Sequence, residues 1–237
     1  MEKVQKILQF YTLTNKLKDT IRTGWKYWNV KKSRLESVAE HVYGTCMLAI
    51  AIWSETLPPV NIAEVLMTLA IHETEEVLLG DLTPFDKEYK DKQKLGKEAV
   101  KKVFGNLIAK EVYTTLLDNF NNQSTPEALF AYKVDKLECD LQAKLYDEKG
   151  FMKLENADEK VKNDERLKKL QARGVKNPST FFLYFDRPNL QKDLKDNEED
   201  IFLAISKYVE KNKISGLAIT TTIKDMPKTD DTKKIKR

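Results

Sequence analysis

Two histidines occur in the 237 residues, and each has a carboxylate beside it: Glu40-His41 and His72-Glu73. Glu76 follows four residues after His72, and Gly80-Asp81 comes next. Imidazole nitrogens mixed with carboxylate oxygens suit a divalent ion such as Mn, Fe, Co, Ni or Zn in an open geometry that also holds water. With a further Asp from elsewhere in the chain, such a site would hydrolyse something, and a phosphate ester is the expectation. The metalloprotease pattern His-Glu-x-x-His is excluded, because position 76 is Glu and one helical turn cannot supply both imidazoles.

These side chains need helices to carry them. Val4, Ile7, Leu8 and Tyr11 follow the helical period, so the chain opens with a helix running toward Thr20, before a turn at Thr23-Gly24. Ser33-Arg34-Leu35-Glu36 has capping-box spacing ahead of the apolar series Val38, Val42, Cys46, Ala49 and Trp53. That reading puts His41 early in a long helix ended by Pro58-Pro59. Asn61 caps the next helix, which carries Val65, Leu69, Ile71 and Leu78 until Gly80 stops it, so that His72 and Glu76 share one face. Helices are expected over Lys87–Lys102 and Leu107–Asn119, and Thr125-Pro126 opens another that reaches about Leu145. The expected fold class is all-α.

Composition bounds the function. Lys and Arg number 41 against 37 Asp and Glu, a net charge of +4, which is too even for a dedicated nucleic-acid surface. The Lys-rich run at Lys87 to Lys102 alternates with acids and reads as a solvated face. Cys46 and Cys139 sit singly inside apolar helical patterns, which fits a reducing cytoplasm. No apolar stretch of about 18 residues is present to span a membrane, and no Gly-rich phosphate loop or internal repeat is visible. Beyond Gly150 charge-dense helical pieces flank Phe181-Phe182-Leu183-Tyr184-Phe185, read as an appended subdomain or dimer element; residues 224–237 read as a flexible tail.

Arg22-Thr23-Gly24-Trp25, Glu36 to His41, His72-Glu73, Glu76, Gly80 to Pro84 and Val134-Asp135-Lys136-Leu137-Glu138 together resemble the HD-domain metal-dependent phosphohydrolases, in particular the branch acting on deoxynucleoside 5'-monophosphates. The resemblance spans about residues 20 to 149. It implies an HD-domain helical bundle over 1–149, while the change in composition beyond Gly150 sets off a C-terminal helical extension over 150–223. It also implies one divalent ion (Mn, Co, Mg, Ni, Fe or Zn) held by His41, His72, Glu73 and Asp135, with Glu76 and Asp81 near the attacking water. Glu73 stands where the family carries Asp, one methylene longer, which shifts the backbone or the ion by on the order of 1 Å.

Chemistry gives the other residues their roles. A bound ion lowers the pKa of water and polarises a phosphoryl oxygen, while Glu76 takes or orients a proton and Asp81 steadies it. Arg22 offers phosphate a fork of donors, and Trp25 packs beside sugar or base. The resemblance further implies a small-molecule nucleotide substrate and a homodimer. Two other readings share the motif: removal of triphosphate from a deoxynucleoside triphosphate, and a non-catalytic nucleotide binder in which Glu73 has replaced turnover.

Overall fold

A computed structural model of the chain describes residues 1–197 and 199–218; the tail expected at 224–237 lies outside them. The described residues form helices α1 (Glu2–Thr14), α2 (Thr23–Tyr27), α3 (Val38–Thr56), α4 (Ile62–Ile71), α5 (Glu76–Leu79), α6 (Lys92–Phe104), α7 (Lys110–Asn122), α8 (Pro126–Glu148), α9 (Glu159–Lys162), α10 (Glu165–Ala172), α11 (Pro178–Asp186), α12 (Leu190–Asp196) and α13 (Ile201–Lys211). Short 3-10 turns span Asn15–Lys18, Lys87–Asp91 and Leu154–Asn156. No β-strand occurs among the described residues, whose one antiparallel bridge joins Ile21 to Ser37. The all-α expectation holds.

The helix α8 is the axis. Its two apolar faces serve two clusters: Phe130, Ala131, Val134 and Leu137 meet Ala49 and Ile52 of α3, Val65 and Leu69 of α4, Phe120 of α7 and Phe202 of α13. Further along, Ala143 and Tyr146 join Trp25, Trp28, Val30, Met152, Ala157, Val161, Leu167, Leu170 and Phe181. A third cluster joins Val100, Val103 and Phe104 of α6 to Leu117, with Phe10 and Leu13 of α1 packed on it. Burying a large apolar side chain contributes about 1.5–3 kcal/mol, so these contacts pin α3, α4 and α8 against one another.

Three local expectations need correction. The capping box that opens α3 is Ser37 with Glu40, not Ser33 with Glu36: Ser37 Oγ accepts from the Glu40 amide and the Glu40 carboxylate accepts from the Ser37 amide. Glu36 is instead drawn inward by Trp25, whose indole N–H donates to it at 2.7 Å. The helix α3 ends at Thr56 before Leu57, which takes a left-handed conformation, so Pro58-Pro59 follows the stop without making it.

Most consequential, residues 62 to 79 are not one helix. The helix α4 stops at Ile71, with His72 as its C-cap, and α5 begins at Glu76. The His72 imidazole lies 2.7 Å from the Leu69 carbonyl and the Thr74 hydroxyl donates to the Ile71 carbonyl at 2.7 Å, so side chains take over carbonyls at the helix end. The 150–218 segment also departs from expectation in one respect. Phe181, in the patch read as an appended subdomain or dimer element, is fully buried in its own chain against Trp28.

Candidate metal centre and cleft

Neighbours in a continuous helix point about 100° apart and do not face one site. The break after Ile71 removes that restriction, and His72 and Glu73 both turn toward His41 of α3 and Asp135 of α8. One ligand atom from each of His41, His72, Glu73 and Asp135 lies within 4.8 Å of the others, and all four residues are buried. Asp135 Oδ1 is 3.0 Å from His41 Nε2 and 3.5 Å from His72 Nε2; Glu73 Oε1 is 3.8 Å and 3.6 Å from the same two nitrogens.

The donor set fits a divalent ion. His72 Nδ1 is directed to the Leu69 carbonyl, which makes it the protonated nitrogen and leaves Nε2 as the lone-pair side. That Nε2 is buried and has no hydrogen-bond partner among the described residues, an arrangement costly for a purely structural histidine. His41 is oriented in the same way, by Glu138 Oε2 at 2.5 Å from its Nδ1. Glu138 lies three residues after Asp135, on the same face of α8, so one helix supplies a carboxylate to each side of the His41 ring. Gly44, one turn after His41, leaves room for this: a Cβ there would collide with the Glu138 carboxylate.

Electrostatics sharpen the picture. Burial opposes the charge on Asp135, yet Lys136 and the two histidines hold its carboxyl well below the usual range. Burial likewise opposes Glu73, but His72, Lys92 and Arg22 bring it down to about 2. Both carboxylates are therefore ionised at neutral pH. For His41, burial and Arg22 disfavour the imidazolium, while Asp135 and Glu138 outweigh them and lift it to about 9. A cation is favoured at this position, whether proton or metal.

A cleft of about 250 Å³ opens over Glu73 and Asp135. Arg22, Lys92, Lys136 and Arg166 line it with positive charge, Asp81 adds a carboxylate, and Trp25, Trp28, Phe85, Phe182 and Phe185 form an apolar wall. Each cation is tethered: Arg22 to Glu73 at 3.2 Å, Lys92 to Glu76 at 3.3 Å, Lys136 to Asp135 at 3.0 Å, and Arg166 to Asp164 at 2.7 Å.

Arg22 stands where the Ile21–Ser37 bridge and its own amide bond to Glu36 O fix the chain. Trp25 lines the cleft but is almost wholly buried, wedged against Tyr146 and Phe182 and tied to Glu36, so it is a fixed wall. Asp81 also lines it, and accepts from the Thr23 amide. Glu76 is different. It does not reach the cleft surface, its Oε2 is buried with no partner among the described residues, and it starts a new helix rather than sharing the His72 face. Burial, with Glu73 and Asp81 nearby, raises its pKa to about 10.

Lys92, Lys136, Arg166, Phe182, Phe185 and the orienting Glu138 were not assigned roles from sequence. Lys136 and Glu138 could have been found by their spacing about Asp135; Phe182 and Phe185 stood out as an aromatic patch but with no link to the site, and Arg166 carried no local signal, since only tertiary folding brings α10 and α11 over the cleft.

The sequence pattern of the HD domain matches residues 14–174. The chain belongs to the HD domain family. HD relatives include 5'-deoxynucleotidase HDDC2 of Danio rerio, 35% identical over 146 residues covering 60% of this chain and 70% of that one. The Homo sapiens protein of the same name is 34% identical, covering 60% and 69%. Among solved structures, the PH0347 protein of Pyrococcus horikoshii superposes with a TM-score of 0.57 at 25% identity, covering 87% of this chain and 99% of that one. A predicted metal-dependent phosphohydrolase from Magnetospirillum magnetotacticum gives 0.52 at 21% identity, covering 86% and 94%, and shares the fold.

Proposed function

We propose that this HD protein is a metal-dependent phosphohydrolase that removes the phosphate from deoxynucleoside 5'-monophosphates. The observation that carries the reading is the orphaned, buried His72 Nε2 facing two ionised carboxylates and His41 beneath an amphipathic cleft. His41, His72, Glu73 and Asp135 would hold one divalent ion. When bound, it supplies an activated water and polarises a phosphoryl oxygen.

The chain's own groups do the rest. Arg22 and Lys92 offer donors to phosphate oxygens at the cleft floor. The Trp25–Phe182–Phe185 wall receives the sugar and base and shields the reacting phosphate from bulk water. Asp81, on the cleft surface, orients the nucleophile, and Glu76 behind it stores a proton. In this reading Glu76→Gln, which keeps shape and removes the titrating group, lowers kcat by roughly 10²–10⁴-fold while metal affinity changes little.

The monophosphate is favoured over the triphosphate because Arg22, Lys136 and Arg166 already face the carboxylates of Glu73, Asp135 and Asp164, which leaves Lys92, beside the proton-bearing Glu76, to meet a phosphate. A dianion is matched by an added divalent ion, whereas a triphosphate needs a larger uncompensated positive field. Deoxyribose is favoured because the wall offers a 2'-hydroxyl no dedicated partner. An apolar wall rejects an added hydroxyl by at most about 10²-fold, so the expected preference over ribonucleotides is modest.

A panel of deoxynucleoside and ribonucleoside mono- and triphosphates, assayed for phosphate and pyrophosphate species, tests the reading. Release of orthophosphate from the deoxy monophosphates, at roughly 10–10²-fold higher kcat/KM than from the ribo forms, is expected. Triphosphate release from a deoxynucleoside triphosphate would overturn it.

No helix among the described residues is long and apolar enough to cross a membrane. Cys46 and Cys139 form no disulfide among the described residues, and a cytoplasmic setting belongs to the same proposal. So does pairing as a homodimer. The exposed apolar residues Val4, Ile7, Leu8 and Tyr11 of α1, or Tyr43, Met47 and Ile50 of α3, offer faces for it.

A further inference from the structure

One atom of the cleft has two claims on it. Glu73 Oε1 lies 3.6 Å from His72 Nε2 and 3.8 Å from His41 Nε2, within the group of atoms that would hold a cation. The same Oε1 accepts from Arg22 Nη1 at 3.2 Å. Both partners are nearly enclosed, with side-chain exposures of 13% for Arg22 and 11% for Glu73, so their charges are little screened. The guanidinium is also held on its other branch, where Nη2 meets Cys139 Sγ at 3.7 Å, and the backbone beneath it is fixed by the Arg22 amide bond to Glu36 O at 3.0 Å.

We propose that Arg22 is a positioning residue that competes with the divalent ion for Glu73 Oε1, so that loading the ion and freeing the Arg22 fork for a phosphate are one exchange. The proposal rests on the reading of His41, His72, Glu73 and Asp135 as the metal ligands.

Two cations on one oxygen in a water-poor site repel each other, and a dative bond to the ion withdraws the electron density that the guanidinium was using. The fork presents several donors in a plane and loses little by turning to a phosphoryl oxygen, because the geometry of carboxylate and phosphate suits it equally. The length of the acid matters here. A Glu at position 73 has the reach to keep one oxygen among the imidazoles and in contact with Arg22; an Asp is one methylene shorter and, kept among the imidazoles, gives up Arg22. The Glu thus makes the site partly self-neutralised before the ion arrives, which weakens ion binding and couples it to substrate.

The exchange is tested by titrating Mn²⁺, with Zn²⁺ in parallel, into chelator-stripped protein by calorimetry with no nucleotide present. Parent, Arg22→Gln, Arg22→Lys, Glu73→Asp and the Arg22→Gln/Glu73→Asp double variant are compared, with circular dichroism and a thermal melt on each to establish folding. Losing a charge-assisted bond that competes with the ion is expected to tighten Mn²⁺ binding by roughly tenfold in Arg22→Gln. Arg22→Lys keeps the charge and stays nearer the parent. In the Glu73→Asp background the gain from Arg22→Gln falls well below tenfold, because the contact is already lost.

An Arg22 that serves phosphate alone would leave the Mn²⁺ affinity unchanged. An unchanged or weaker affinity in folded Arg22→Gln, or an equal gain in both backgrounds, overturns the exchange while leaving the metal site standing. Absence of binding to the folded parent, with no shift of its melt by either ion, removes the metal reading and the exchange together.

Discussion

Glu36 shows how a single acid reports on this site without touching it. It is buried, accepts from the Trp25 indole at 2.7 Å, and is raised from 4.5 to about 7 by burial and by the nearby Glu138, against the pull of Arg22. The folded state therefore holds a proton on Glu36 that the unfolded chain releases earlier. Its contribution to stability is complete below pH 4.5 and is lost as pH rises toward 7. At 1.36 kcal/mol per pKa unit the loss is on the order of 3 kcal/mol. Denaturant unfolding of wild type and Glu36→Gln at pH 4.5 to 8 should show a steeper fall for wild type, since Gln still accepts from Trp25 but does not ionise. Parallel curves would place the proton elsewhere. At this scale the sequence was informative wherever a residue type is scarce: two histidines left little choice. It was least informative for Glu76, read as an open base beside His72 and found buried with a raised pKa.

At the scale of elements, Ser33-x-x-Glu36 and Ser37-x-x-Glu40 carry the same spacing, and local pattern cannot rank them. Tertiary contacts do. Ile21 bridges Ser37 and Trp25 claims Glu36, which leaves Ser33 exposed and gives the cap to Ser37. Ser37→Ala is expected to cost about 1 kcal/mol in a urea melt, and Ser33→Ala no more than about 0.5 kcal/mol. Equal costs would contradict the assignment. The break after Ile71 has a similar origin. Apolar periodicity runs on through Leu78, so it predicts one helix; the hydrogen bonds of the His72 and Thr74 side chains to the Leu69 and Ile71 carbonyls, which no periodicity records, divide it. That division lets two sequence neighbours enter one cluster.

Across the whole molecule, the all-α class was legible because caps, prolines and the 3.6 period recur along the chain, and the HD likeness added the order of the helices. The cleft was legible on its floor and opaque on its wall. Arg166, Phe182 and Phe185 come from α10 and α11, far along the chain from Arg22, and a charge-dense stretch hid the inward spacing of Met152, Ala157, Val161, Leu167 and Leu170. Phe181 anchors this wall: its ring stacks at 6.2 Å from Trp28. Phe181→Ala should destabilise the protein by about 3–5 kcal/mol and alter Trp fluorescence. A loss under about 1 kcal/mol would mean that residues after Gly150 add little to the shared core.

The central claim is that His41, His72, Glu73 and Asp135 hold a divalent ion on which hydrolysis depends. The most direct measurement is orthophosphate release from a deoxynucleoside 5'-monophosphate by chelator-stripped protein, before and after adding back Mn, Co, Mg, Ni, Fe or Zn, beside a folded His72→Ala variant. Restoration by at least one ion in the parent and by none in His72→Ala is the predicted result. Equal release with and without ions, or a His72→Ala variant as active as the parent, would contradict it.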